Sequence, residues 1–309
     1  MKNKTNFMTK TWVIVVGAMI CCTLWGSAFP CIKIGYRMME IAAADTASQI
    51  LYAGYRFTLA GVLTIVLGSI LQRKILLPKR SSIGKIGLLS LLQTVLQYLF
   101  FYIGLAHTTG VKASIIEAVS TFVAILVAGY LFHQETVTSR KMLGCLIGFA
   151  GVVLVNVAGS GMDFHFSPAG DGCILLSTVA YAFSSVCMKR FSQKEDPVML
   201  SGYQFIFGGI VMIACGAAMG GHLKAFTASA AALLIYMAMI SAVAYSLWGM
   251  LLKYNPVSKV TVFGFMNPVI GVILSALLLN ETESLGVSSV LALGLVCVGI
   301  YIVNAKAKE

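Results

Sequence analysis

Gly54–Ile65 reads GYRFTLAGVLTI, and Gly202–Ile213 reads GYQFIFGGIVMI. Laid over one another at an offset of 148, the two stretches share Gly, Tyr, Phe, Gly and Ile in register. The correspondence extends outward. WGSAFPCIK (Trp25–Lys33) lies over YAFSSVCMK (Tyr181–Lys189), with Cys on Cys and Lys on Lys. Tyr98 falls on Tyr245 and Lys112 on Lys259. QETVTSRKMLGCLIGFAGVVLVN ends at Asn156, and NETESLGVSSVLALGLVCVGIYIVN ends at Asn304. Any one match could arise by chance; an ordered set along the whole chain reads as a duplication.

Composition states what was duplicated. Of 309 residues, 59% are hydrophobic and 11% charged, where soluble domains carry roughly 25% charged residues. That much apolar surface needs lipid. Runs near the required ~20 apolar residues occur at 11–35, 47–71, 83–106, 112–132, 141–158, 168–190, 199–219, 228–251, 258–279 and 286–304. The apolar run after MKNKTNFMTK continues past Trp25 with no convincing cleavage site, so it reads as an uncleaved first span. The expected architecture is an all-α integral membrane protein of ten transmembrane helices. Its two five-helix repeats cover 1–158 and 168–309. Five is odd, so the second copy enters the membrane upside down, and a central cavity is expected between the inverted halves.

The formal net charge of +11 reports topology. With both termini in the cytoplasm, seventeen Lys and Arg fall in inside segments and four (Lys33, Arg37, Lys112, Lys224) outside, leaving Arg56 within a span. A multi-pass protein of the plasma membrane with N- and C-termini inside follows, and nucleic acid is discarded as a partner. The eight cysteines form no C-x-x-C pair and read as small buried hydrophobes. No phosphate-binding G-x-x-x-x-G-K-[ST], no H-E-x-x-H and no G-x-S-x-G is present, and the four histidines are scattered. The expectation is therefore no enzyme, no metal and no cofactor.

LWGSAFPCIK, YRFTLAG and FHQETVTSRKMLGCLIGFAGVVLVN in the first half, with NPVIGVILSALLLNETESLG in the second, resemble the EamA family of the drug/metabolite transporter superfamily. The resemblance spans essentially the whole chain. It implies a ten-helix basket with a central cavity and a carrier that exports amino acids or other small metabolites, usually without ATP. One departure is Thr121, near a place in the fourth span where the family often has Pro, as Pro268 stands in the ninth.

Residues at mid-depth are the candidate site. Trp25, Tyr98, Tyr181, Tyr245 and Trp248 place polar N–H and O–H groups where Trp and Tyr are normally absent, and a wet cavity satisfies them. Gln97 and Asn267 add amides, and Asn267-Pro268 is expected to interrupt its helix. Ordinary helix packing is the competing reading for each. Arg56 lies about ten residues, roughly 15 Å, into its span, and Glu117 is the other ionisable group at comparable depth in the first half. A buried charge seeks a partner, so an Arg56–Glu117 pair is expected. Two roles are open to it: fixing helix packing, or sensing substrate or a coupling proton. Gly144 and Gly148 are expected to let helices approach closely. Glu135 and Glu281 are expected to face water and cap loops. The leading reading is a secondary carrier exporting a small metabolite such as an amino acid. An importer, or a non-transporting sensor or partner subunit, remains the alternative.

Overall fold

The computed structural model describes residues 7–42, 44–105, 107–108, 110–157, 167–224, 227–279 and 287–305, and every regular element among them is helical. Backbone polar groups within lipid must be satisfied inside each segment, which helices achieve. In chain order the elements are α1 (Thr11–Met38), α2 (Thr46–Gln72) and α3 (Arg80–Leu105). Next come α4 (Gly110–Ala118 continuing through Ser120–Leu126 and Val127–Leu131), α5 (Ser139–Val157), α6 (Pro168–Ser192), α7 (Pro197–Ala218) and α8 (Ala228–Tyr254). The last two are α9 (Val257–Thr261 through Met266–Leu279) and α10 (Val287–Asn304). By length and apolarity α1, α2, α3, α6, α7 and α8 can each cross a membrane, and Ile115–Leu131 and Val290–Asn304 are shorter apolar helices. Large apolar side chains such as Leu71, Leu277, Val290 and Tyr301 stand exposed on the outside, as a protein solvated by lipid requires.

Polar residues start these helices. Asp45 accepts the Ser48 N–H at the head of α2, and Thr227 accepts that of Ala230 at the head of α8. Asp196 accepts from Val198 and Met199, with Pro197 preset at the first helical position. The break in α9 has a local cause. Pro268 has no N–H, and its ring collides with the carbonyl four residues back, that of Gly264. The chain tightens to a 3-10 turn over Val262–Phe265, one turn earlier than Asn267 itself.

Helix pairing follows the duplication. α2 packs on α7 and α5 on α10; α1 packs on α8 and α9, while α6, the repeat mate of α1, packs on α3 and α4. The α2–α7 contact is self-complementary. A methyl group added to Gly61 would lie 2.5 Å from the Gly202 carbonyl oxygen, and one added to Gly209, the mate of Gly61, would lie 2.9 Å from that of Gly54, the mate of Gly202. Gly68 meets Val198 and Gly216 meets Leu51, so the helices run antiparallel. The α5–α10 pair behaves alike. A methyl group on Gly144 would lie 2.9 Å from the Gly299 carbonyl, and one on Gly151, the mate of Gly299, 2.7 Å from the Ala292 carbonyl.

The two ends of the bundle differ. The basic end, where α1 begins, is laced shut by polar contacts. Lys85 pairs with Glu195 at 2.6 Å, and this hydrogen bond holds the Glu195 carboxyl below its ordinary range. A depressed carboxylate contributes stability that is present above its unfolded value of about 4.3 and is lost as pH falls through the folded value. We expect an acid melting series to lose less Tm for Glu195→Gln than for the wild type below that pH. The largest apolar cluster lies on this side, joining Ile14, Cys22, Met188, Trp248 and Leu252.

Candidate functional site

A cavity of about 160 Å³ lies where the two halves meet. Its walls on α1, α3, α6 and α8 come from the portions of those helices away from the basic end: Trp25 to Ile32, Gln97 to Phe101, Ser177 to Tyr181, and Met237 to Tyr245. The broken part of α9 supplies Gly264 and Asn267, and α4 supplies Glu117, Ser120 and Thr121. Trp25, Arg56, Gln97, Tyr98, Glu117, Tyr181, Tyr245 and Asn267 thus all border one space. Trp248 does not. It is buried behind Trp25, ring centroids 5.0 Å apart and near perpendicular.

Repeat mates meet at the floor of this space. The hydroxyls of Tyr98 and Tyr245 share a hydrogen bond of 2.9 Å. Phe57 stacks on Phe205 at 5.3 Å with an 8° angle between rings. Tyr245 then stands edge-on to both Phe205 and Trp25. The Tyr98–Tyr245, Phe57–Phe205 and Trp25–Tyr245 contacts each join a residue of one half to one of the other, so the floor holds together only while both halves keep this arrangement.

The expected Arg56–Glu117 ion pair is not formed. Among the described residues no ion pair joins them, although both border the cavity. The guanidinium carbon of Arg56 lies 4.3 Å from the centre of the Phe57 ring and 5.7 Å from that of Tyr98. Cation–π attraction of this kind is worth up to about 2 kcal/mol when desolvated. The principal neighbours of α2 are α7, α8 and α3 rather than α4, so depth along the helix was a poor guide to lateral distance. Several polar atoms of the wall have no hydrogen-bond partner among the described residues: Trp25 Nε1, Arg56 Nε, Gln97 Oε1 and Asn267 Oδ1. Buried polar atoms are nearly always paired, so these are directed at a ligand or water.

Sequence reasoning missed Ser177, Thr178, Ser241 and Thr261 in the wall. Ser177 and Thr178 share a face with Tyr181 at helical spacing, a signal that was there to be found. Thr121, where the family often has Pro, donates its hydroxyl to the Thr261 carbonyl at 3.1 Å and so links α4 to the start of the broken α9.

Glu135 also differs from expectation. It does not face water. Its carboxylate accepts the Ser258 N–H at 2.9 Å and the Ser258 hydroxyl at 2.5 Å, and pairs with Lys141 at 2.8 Å. This buried cap ties the α4–α5 loop to the head of α9. We expect Glu135→Ala to remove about 1–3 kcal/mol of stability, read as a lowered melting temperature; an unchanged Tm would show the cap to be idle. Glu281 lies outside the described residues.

Comparison with known proteins agrees with this geometry. The EamA-like transporter family matches residues 12–157 and 168–305. An uncharacterized transporter of Archaeoglobus fulgidus is 27% identical over 96% of this chain and 99% of its own. The uncharacterized transporter YvbV of Bacillus subtilis is 26% identical over 92% and 89%, and the uncharacterized inner membrane transporter YedA of Escherichia coli K12 is 28% identical over 92% and 90%. A protein crystal structure superposes with a TM-score of 0.77 at 16% identity, over 94% of this chain and 96% of its own, a likeness of fold alone. The chain is a multi-span, all-helical membrane protein and belongs to the EamA-like transporter family.

Proposed function

We propose that the protein is a secondary carrier whose halves are inverted repeats, exporting a small zwitterionic metabolite, with amino acids the leading class, by alternating access. The observation that carries this reading is the placement of one cation, Arg56, and one carboxylate, Glu117, unpaired with each other, around a single aromatic cavity between the halves. An α-ammonium would be held at Glu117 and an α-carboxylate at Arg56, with Trp25, Tyr98 and Tyr181 enclosing the remainder. The self-complementary antiparallel contacts of α2 with α7 and α5 with α10 support the inversion. Glu117 is the group on which a coupling proton would ride. The excess of Lys and Arg in inside segments supports a cytoplasmic basic end, so the cavity here would open to the outside.

The test is uptake of a panel of radiolabelled amino acids into everted membrane vesicles, with and without a pH gradient. Accumulation of at least one member supports export; no accumulation of any member would overturn the substrate class. A second reading, import, draws on the cavity wall lying in the helix portions away from the basic end, and uptake into intact cells without uptake into everted vesicles would select it. Orientation is checked separately. Ser81→Cys should resist an impermeant thiol reagent added to intact cells, and His222→Cys should react; the reverse pattern would invert the topology. Trp25→Ala should cut transport about tenfold or more, since an aromatic anchor contributes on the order of 1.4 kcal/mol or above, with insertion unchanged.

A further inference from the structure

The cavity is lopsided, and the repeat states what its other side must be. Trp25 and Tyr181 are mates at an offset of 156, Tyr98 and Tyr245 at 147, and both pairs border the cavity. On α4 and α9 the mates Glu117 and Gly264, Ser120 and Asn267, and Thr121 and Pro268, also at 147, border it as well; on the other helices several wall residues have mates that do not. Arg56 corresponds to Gln204, Phe101 to Trp248, Ile240 to Gln93 and Ser241 to Thr94; Ser177 and Thr178 correspond to Cys21 and Cys22. None of these six mates is more than 3% exposed, and all lie toward the basic end.

Two features mark this packed region as more than core. Gln93 Oε1 and Gln204 Nε2 are buried without a partner among the described residues, which a purely structural interior rarely tolerates. Gln93 and Thr94 ride on a π-helical turn, Ser90–Leu96, whereas the corresponding stretch of α8 is regular α-helix. Such turns gather at functional sites. Thr94 donates to Gln204 Oε1 at 2.6 Å and Ser90 to the Gln204 carbonyl at 2.8 Å, so the amide is held but not saturated. The region is sealed by Lys189, which donates to the carbonyls of Leu252 and Asn255 at the end of α8.

We propose that Gln93, Thr94, Gln204 and Trp248 form a second substrate surface, closed in this structure, that lines the path when the cavity opens toward the basic end. The proposal rests on the carrier reading above and adds the chemistry of the other state. The surface offers carboxamides, a hydroxyl and an indole, and no charge. An anionic end held by the Arg56 cation on the open side meets only neutral hydrogen bonds on this one. The solute is therefore gripped less tightly at the basic end, and Gln204 in place of a second arginine sets that difference.

Two native thiols report the opening. Cys21 and Cys22 hydrogen-bond through sulfur to the Ala244 and Phe263 carbonyls and are sealed here; Cys145, equally buried, lies on α5 away from the path. The protein in proteoliposomes is treated with methyl methanethiosulfonate, and modification is followed residue by residue by mass spectrometry. Lys189→Ala loosens the seal and should speed modification of Cys21 and Cys22 about tenfold, the ratio for 1.4 kcal/mol, with Cys145 unchanged. Cys21 and Cys22 remaining unmodified in both proteins would overturn the second surface, as would modification of Cys145 in parallel, which signals unfolding. Gln204→Leu should fold, bind a transported amino acid from the open side with unchanged affinity, and carry it at least about tenfold more slowly. A normal rate would also overturn the assignment. The two readings fail separately. A silent amino-acid panel with Cys21 and Cys22 opening as expected removes the substrate class and leaves the surface. Sealed thiols in a protein that transports remove the surface and leave the carrier.

Discussion

Gly61→Leu is expected to abolish the folded protein. The first added carbon would lie 2.5 Å from the Gly202 carbonyl oxygen and 2.7 Å from the Ile206 nitrogen, both backbone atoms that no rotamer change can move. α2 and α7 must separate, and with them the floor that Phe57 and Phe205 make between the halves. Overpacking a core with side-chain neighbours typically costs about 1–3 kcal/mol; against backbone on both sides the loss should exceed that range. Gly209→Leu, at the mate position, meets the Thr58 nitrogen at 2.5 Å and should fail equally. Gly84→Leu and Gly87→Leu have open space around them and should be tolerated. The measurement is the yield of monodisperse protein in detergent and its melting temperature. A normal Tm for Gly61→Leu would mean that the α2–α7 crossing is wider than described.

The second large effect concerns the two charges of the cavity. Arg56→Gln and Glu117→Gln should each lose transport by about 10- to 100-fold, since a hydrogen bond to a charged group is worth about 1.5–3 kcal/mol. Stability should respond differently. Arg56 lies over aromatic rings with no carboxylate bound to it among the described residues, and the mate position already accommodates a fully buried glutamine. Arg56→Gln should therefore melt at or above the wild-type temperature. Removing one member of a buried ion pair, by contrast, typically costs about 3–5 kcal/mol by stranding the other charge. The stability changes of the two single variants should add in the double variant. Rescue in the double variant would show that the two residues pair directly after all.

These two experiments bear on different levels of the molecule. The glycine test probes backbone approach, which the fold needs whatever the protein carries. The charge test probes groups that the fold does not need, and the cavity supplies the reason they are there. Stability and transport should separate in the second case and fall together in the first.

The amino-acid sequence determined the class of fold and marked the aromatic, amide and charged residues of the wall. Apolar runs near membrane length leave the backbone only one way to satisfy itself, and the recurrence of GYRFTLAGVLTI as GYQFIFGGIVMI ties each helix to a mate. Aromatic and amide side chains at mid-depth are unfavourable in lipid, so their presence marked Trp25, Tyr98, Tyr245 and Asn267 before any contact was known. What the tertiary structure alone decided is lateral. Which helices adjoin is set by glycine faces that meet across long sequence separations, and this put α7 rather than α4 against α2, leaving Arg56 on the rings of Phe57 and Tyr98 and away from Glu117. The same lateral packing put Trp248 behind Trp25 instead of in the wall. It also turned Glu135 inward onto Ser258, because a helix head with unsatisfied N–H groups had been brought beside its loop. Periodicity along one helix reports depth and face; the partner on that face belongs to another part of the chain, and only packing brings it there.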